Sequence, residues 1–304
     1  MKHSMRQRDY TFMHRRTFLS GISGTALLSF LAPASLALKA RAARAKAPVK
    51  EVREVRFDHS TVRLLDGGWM GEDVRLAGIE IDLKKGWKTY WKVPGDSGLP
   101  PSFDFSGSTN VKDIKVLWPT PKRYKDPELG ETIGYKDHVI FPVRIVPADP
   151  EKPVTLSVKL SYALCSDICI PAQAQLVRQL LPEPDSDDTA FARVRVAYYE
   201  VPTANPDVGP EVVKAYIRRG KTRPELVLVL KGVGLGSNSD IFVEGPDIVS
   251  FCHPRFLGRE GMIVRYFLPV DGIDDPAALA GAKLRLTIVG ENGAWERTVI
   301  LPRH

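Results

Sequence analysis

Of the 304 residues in this chain, the ones best equipped for chemistry are three cysteines, two of them four positions apart. Cys165 and Cys169 lie in Tyr162-Ala163-Leu164-Cys165-Ser166-Asp167-Ile168-Cys169-Ile170-Pro171, directly after a strand-like run. Were that strand to continue, four steps would separate the two Cα atoms by about 13 Å. A disulfide needs them within about 7 Å. If the two bond, residues 166–168 must fold back in a turn, and Pro171 is placed to end it. The ring so closed is small and removes little entropy from the unfolded chain, whereas a stabilising staple would more usefully join distant strands. A small local bridge is also easier to reduce. The pair therefore suits exchange better than support, with a structural bridge and a soft-metal pair as the alternatives. No thiolate-stabilising cation stands near it in sequence. Asp167, between the sulfurs, would raise a thiol pKa if close. The expectation is a pair of ordinary or raised pKa that exchanges well when a partner docks.

Other candidate motifs are weaker. Gly95-Asp96-Ser97-Gly98 has the look of a serine nucleophile turn, but only His14 and His59 precede Ser97, so a plain turn is expected. Gly232, Gly234 and Gly236 follow a strand without a helix behind them, which suits a hairpin loop rather than a dinucleotide fingerprint. Cys252-His253 supplies two ligand types but no complete metal set, so a free, mostly buried thiol is expected. His138 reads as a strand-edge polar residue.

The elements that must position the cysteines are strands. β-favouring runs occur at Val52–Phe57, Val74–Leu83, Val111–Leu117, Val139–Val146 and Val154–Leu160. A second series covers Val212–Ile217, Leu226–Leu230, Ile241–Glu244, Met262–Leu268, Leu284–Val289 and Trp295–Leu301. Gly and Pro, 24 residues each, fill the turns, and Asn292-Gly293 suits a tight hairpin. Between the series, residues 182–188 read as a linker into a short helix. Phe191, Val194 and Tyr198 share a face of that helix, with Asp187 or Asp188 as its cap. The fold class expected is mostly β: two immunoglobulin-like antiparallel β-sandwiches, residues 48–182 and 201–304, joined by a linker and short helix over 183–200.

Charge is placed unevenly. The chain carries +7 overall, but residues 1–47 hold nine Lys/Arg and one acid, which leaves the remainder almost neutral. That remainder has no electrostatic footprint for a polyanion, so nucleic acid is excluded as a partner. Residues 1–45 have a basic head with Arg15-Arg16 followed by Phe18-Leu19, an apolar middle and a small-residue tail. They read as a twin-arginine-type export signal, cleaved after Ala37, Ala42 or Ala45, or else kept as a membrane anchor. Export places the rest in the periplasm, where disulfides form.

Four blocks in order carry a resemblance. They are Gly86-Trp87-Lys88-Thr89-Tyr90-Trp91-Lys92-Val93-Pro94-Gly95-Asp96-Ser97-Gly98-Leu99-Pro100, Leu117-Trp118-Pro119, Gly134–Val143, and the cysteine segment. Residues 72–181 resemble the amino-terminal periplasmic domain of the DsbD/ScsB-type thiol:disulfide interchange proteins. The resemblance implies an immunoglobulin-like sandwich in which Cys165 and Cys169 form the redox pair, with Cys169 as the mixed-disulfide position. It also implies a cap loop within Tyr124–Tyr135 and an aromatic, Tyr90, beside the pair. Trp87 and Trp91 are either site-lining or core aromatics of a strand. The second β-rich segment is similar to the paired sandwiches of some ScsB-type proteins.

The expected function is thiol–disulfide interchange, as a protein-disulfide reductase component. Its partners would be a membrane-embedded thiol electron donor on a separate chain and periplasmic disulfide-bearing proteins. No cofactor or metal is required, because the cysteines hold the electrons. The rival expectations are a non-catalytic binding module with a structural bridge, and a copper-handling protein using Cys165, Cys169 and Cys252-His253.

Overall fold

Apolar side chains alternate with polar ones along most of the chain, and each alternating run becomes a strand with one face in a core. A computed structural model of the chain describes residues 49–96, 98–126, 130–183 and 188–303, with only the backbone of Asp126 and Asp188. The expected export signal over 1–45 and the helix cap at Asp187 or Asp188 therefore lie outside what is described, as does the tip of the expected cap loop. All described residues belong to one compact unit spanning Pro48–His304. Among them, no helix is long and apolar enough to cross a membrane.

In chain order the elements are β1 (Glu54–Arg56), β2 (Ser60–Met70), β3 (Val74–Leu83), β4 (Lys88–Gly95), β5 (Ser102–Asp104), β6 (Val111–Val116), β7 (Lys122–Asp126), β8 (Gly130–Lys136), β9 (His138–Pro147), β10 (Val154–Cys165) and β11 (Cys169–Leu180). Then follow α1 (Asp188–Tyr199), β12 (Glu211–Arg219), β13 (Pro224–Lys231), β14 (Asp240–Glu244), β15 (Ser250–Phe251), β16 (Arg255–Glu260), β17 (Ile263–Asp271), β18 (Lys283–Gly290) and β19 (Gly293–Ile300). The first sandwich pairs a sheet of order β1-β2-β3-β9-β6 with one of order β11-β10-β4-β8-β7, to which β5 adds on β10. The second pairs β12-β13-β17-β15, with β16 on β17, against β14-β18-β19. The immunoglobulin-like β class expected from the sequence is the fold observed.

Leu64, Ile79, Phe141, Leu156, Val158 and Leu176 fill the first core; Leu228, Tyr266, Leu286 and Ile288 stand in the second. The helix α1 packs Ala190, Val194 and Ala197 onto Leu65, Leu76 and Ile140, on the outer side of the first sheet. Its buried stripe is centred on Val194 and on alanines, while Phe191 lies half exposed across Gly68.

Three local expectations change. Pro171 does not end the cysteine turn; it lies within β11, opposite Ala163. This is tolerated because β11 is an edge strand, where a missing N–H breaks no ladder on the open side. The Gly232–Gly236 stretch is not a hairpin loop, because β13 and β14 belong to different sheets and the glycines cross between them. In the last hairpin the turn residues are Glu291 and Asn292, and Gly293 already pairs with Gly290.

Candidate functional site

The site grows from the hairpin of β10 and β11, which pair from Val154↔Leu180 to Cys165↔Cys169. Leu156, Val158, Leu160, Tyr162 and Leu164 point inward to the core. By strand alternation Ala163 and Cys165 therefore point to the outer face. Ser166, Asp167 and Ile168 make the return, with the Ser166 N–H donating to the Ile168 carbonyl at 3.1 Å. That return brings the two cysteine Cα atoms to 4.2 Å, and their sulfurs are bonded. The two sulfurs differ in access. Cys165 is 1% exposed, whereas Cys169 is exposed at the strand's first position.

The strand β4 lies on the other side of β10, with Lys88 opposite Cys165 and Thr89 opposite Leu164. The Thr89 hydroxyl donates to the Ala163 carbonyl at 2.9 Å and locks this register. Tyr90, two positions on from Lys88, shares its face and is fully buried in a cluster with Ala163 and Cys165. Its hydroxyl oxygen lies 3.2 Å from the Cys169 sulfur. Burial pushes the Tyr90 phenol pKa up, which keeps the group a neutral hydroxyl at ordinary pH. Gly98, at φ +140°, lays its backbone against the Tyr90 ring, and any Cβ there would collide with the ring. Leu99 and Ile168 follow and precede these contacts as exposed apolar side chains. The arrangement is a disulfide with one reachable sulfur, a tyrosine wall behind it and an apolar rim.

The other aromatics named from sequence sit elsewhere. Trp87 stacks on His59 at 4.2 Å between ring centres. Trp91 points to the inner face of β4, in the core. Tyr135 is buried, donates to the Pro119 carbonyl at 2.8 Å and meets Phe141 edge-on. Burial raises the phenol pKa of Tyr135 and of Tyr124, which faces Thr132 across the β7–β8 hairpin. Among the described contacts, Tyr90 alone of these five aromatics meets the pair. Sheet pairing adds a basic residue to the surroundings of the pair that is not near it in sequence. Lys88 is mostly buried directly across from Cys165, and only sheet pairing brings it there, from 77 positions away. The sequence contained a signal for Lys88 and Gly98 only in that both lie in the block around Tyr90.

Cys252 is a free thiol in the second sandwich. It donates to Asp271 at 3.1 Å, and His253 turns to its own neighbour's carbonyl, that of Pro254, at 2.8 Å. Among the described residues, no group of three or more His, Cys, Asp or Glu converges as a metal site. His138 opens β9 and bonds Glu80 at 2.7 Å.

Residues 69–181 match the family described as thiol:disulfide interchange protein DsbD, N-terminal. This segment is a DsbD N-terminal-type domain. The DsbD-type match begins at the end of β2 and closes just past β11, so it contains β4, both cysteines and the β7–β8 hairpin. The N-terminal periplasmic domain of ScsB from Proteus mirabilis aligns with the chain at TM-score 0.63 and 21% identity, over 83% of this chain and 98% of that one. Its extent includes the second sandwich, and at that identity it speaks for the fold. The titin Ig tandem domains A164-A165 align at only 7% identity and a TM-score of 0.16, over 81% of this chain and 97% of that one. No curated protein matches the chain.

Proposed function

We propose that the chain is a periplasmic thiol–disulfide exchange module working through Cys165 and Cys169. The observation that carries this is the unequal access of two bonded sulfurs, one exposed and one buried, at the tip of a hairpin in a DsbD N-terminal-type domain. Exchange needs one sulfur that a visitor can attack in line and one that can leave. A donor thiolate attacks the Cys169 sulfur. The bond to Cys165 breaks, and Cys165 leaves as a thiolate that then takes a proton. The donor's second thiol attacks the mixed disulfide and releases Cys169, so two electrons enter the pair and the donor ends as a disulfide. In the outward direction the Cys169 thiolate attacks a substrate disulfide, and Cys165 resolves the mixed species.

In this reading the donor is a membrane-embedded thiol protein and the acceptors are periplasmic disulfide-bearing proteins. Leu99 and Ile168, exposed beside the pair, supply the apolar rim that a docking partner would cover. No cofactor enters the balance. Trapping tests the reading: a Cys165→Ala chain, expressed in its own periplasm, should accumulate covalent partners on Cys169. A Cys169→Ala chain should accumulate far fewer. If neither variant forms a mixed disulfide, and the wild-type bond stays oxidised at strongly reducing potentials, the bridge is structural and the proposal is wrong.

A further inference from the structure

The strand β14 is buried on both faces, and the two faces serve different sandwiches. Ile241 and Val243 lie in the core of the second sandwich, the one β14 belongs to. Asp240, Phe242 and Glu244 alternate with them and so share the opposite face. Phe242 is 1% exposed and is part of the first sandwich's core, its ring centre 5.7 Å from that of Trp91. Glu244 pairs with Lys92 at 2.7 Å. The Asp240 carboxylate takes Arg123 Nε at 3.0 Å on both oxygens. Arg123 also donates to the Ile241 carbonyl at 3.0 Å, lies 4.7 Å over the Phe242 ring and pairs with Glu131. Its side chain is 6% exposed.

The residues met by this face lie on β4, which carries Tyr90, and on the hairpin paired with it. Trp91 and Lys92 directly follow Tyr90 on β4. Arg123 on β7 and Glu131 on β8 are diagonal neighbours in the β7–β8 hairpin, joined by their side chains. Glu131 is in turn tied to Asp96: the Asp96 N–H donates to the Glu131 carbonyl at 2.9 Å, and the Glu131 N–H to the Asp96 carboxylate at 2.8 Å. Two residues on, Gly98 lies against the Tyr90 ring, and Tyr90 touches Cys169. Side-chain contacts thus lead from β14 to β4, which carries Tyr90, and separately to the β7–β8 hairpin and Asp96. A passive interface needs only apolar area; this one holds a desolvated guanidinium between two carboxylates, Asp240 on β14 and Glu131 on β8, and so ties the strand to the hairpin through a buried charge that needs its partners.

We propose that Asp240, Phe242 and Glu244 are positioning residues for exchange: the second sandwich uses this face to hold β4 and the hairpin so that Tyr90 stays against Cys169. The inference rests on the exchange reading and extends it, since it assigns the second sandwich the task of setting how readily an outside thiol reaches that sulfur.

The test uses the full chain with Asp240→Asn, which removes the charge with little change of shape, and Asp240→Glu, which keeps it. The rate at which dithiothreitol reduces Cys165–Cys169 should rise about fivefold in Asp240→Asn, the low end of a coupling between separate sites. Asp240→Glu should return most of the way to the wild-type rate. Ile288→Val, in the second core and away from this face, serves as the control for stability alone. If its rate rises in step with its loss of stability as Asp240→Asn does, β14 is only structural and the proposal fails. Amide hydrogen exchange at Tyr90, Trp91 and Thr132 gives a second measure independent of redox chemistry. Protection there should fall in Asp240→Asn. Should the wild-type disulfide resist reduction altogether, the exchange reading falls, and unchanged amide protection in Asp240→Asn would overturn the positioning role by itself.

Discussion

The Tyr90 hydroxyl lies 3.2 Å from the sulfur of Cys169, across 79 residues of sequence. In the oxidised protein this is a weak contact, because a disulfide sulfur is a poor acceptor. On reduction the same hydroxyl faces a thiolate, and a hydrogen bond to a charged group is stronger.

Tyr90→Phe should therefore raise the Cys169 thiol pKa by about one to two units, since a hydrogen bond to a charge is worth about 1.5–3 kcal/mol and one unit is about 1.4 kcal/mol. With less thiolate present, the rate of attack on a model disulfide at neutral pH should fall. A pH–rate profile of the reduced variant checks this. An unmoved profile would remove Tyr90 from the chemistry.

Lys88 is the register partner of Cys165, whose sulfur leaves when Cys169 is attacked. A thiolate in so buried a place is costly without a nearby positive charge. Lys88→Gln should slow reduction of the bridge and raise the Cys165 thiol pKa, and Lys88→Arg should recover most of both. Thiolate ultraviolet absorbance across a pH titration, in a Cys169→Ala background, reads the pKa directly.

Gly98→Ala places a Cβ in the Tyr90 ring while holding a positive φ that side-chain-bearing residues rarely adopt. Either the loop or the ring must move. Reduction of the bridge by a small thiol should become faster, and Tyr90→Phe added to it should have little further effect. Additive effects in the double variant would show that the two residues act separately.

The Cys252 thiol pKa is pushed up to about 11, first by burial and then by the Asp271 carboxylate that accepts its proton's bond, with Asp96 adding to it. Unfolded, the thiol ionises near its usual value of 9. Between those values the unfolded chain gives up the proton and the folded chain keeps it, so stability is present below pH 9 and is lost as pH rises towards 11. Cys252→Ser should flatten that slope in denaturant unfolding. At neutral pH Cys252 should alkylate slowly, and Asp271→Asn should speed it several-fold.

Phe242→Ala should cost about 3–5 kcal/mol, the usual range for emptying a buried aromatic site. Because the ring completes the first core while its strand belongs to the second, the wild-type chain should unfold in one transition. A double-mutant cycle with Trp91→Ala should show a coupling of about 0.5–1.5 kcal/mol. Two separated transitions in the wild type would contradict the shared core.

What could be learned from sequence alone was whatever is written locally. Alternation marked β3 at its observed ends, and the spacing of Cys165 and Cys169 required a turn if they bonded. A block of aromatics and glycines around Tyr90 signalled the family. Whole strands carried no such mark where polar residues fill an edge strand, as at β11, or where Gly67 and Gly68 bulge within β2. The tertiary structure alone decided which sulfur is exposed, that Lys88 stands across from Cys165, and that Phe242 serves the core of the other sandwich. The reason is physical. A strand's own residues settle which face each side chain takes, but what that face meets depends on register with strands tens or hundreds of residues away, and that pairing leaves no periodic trace in either segment.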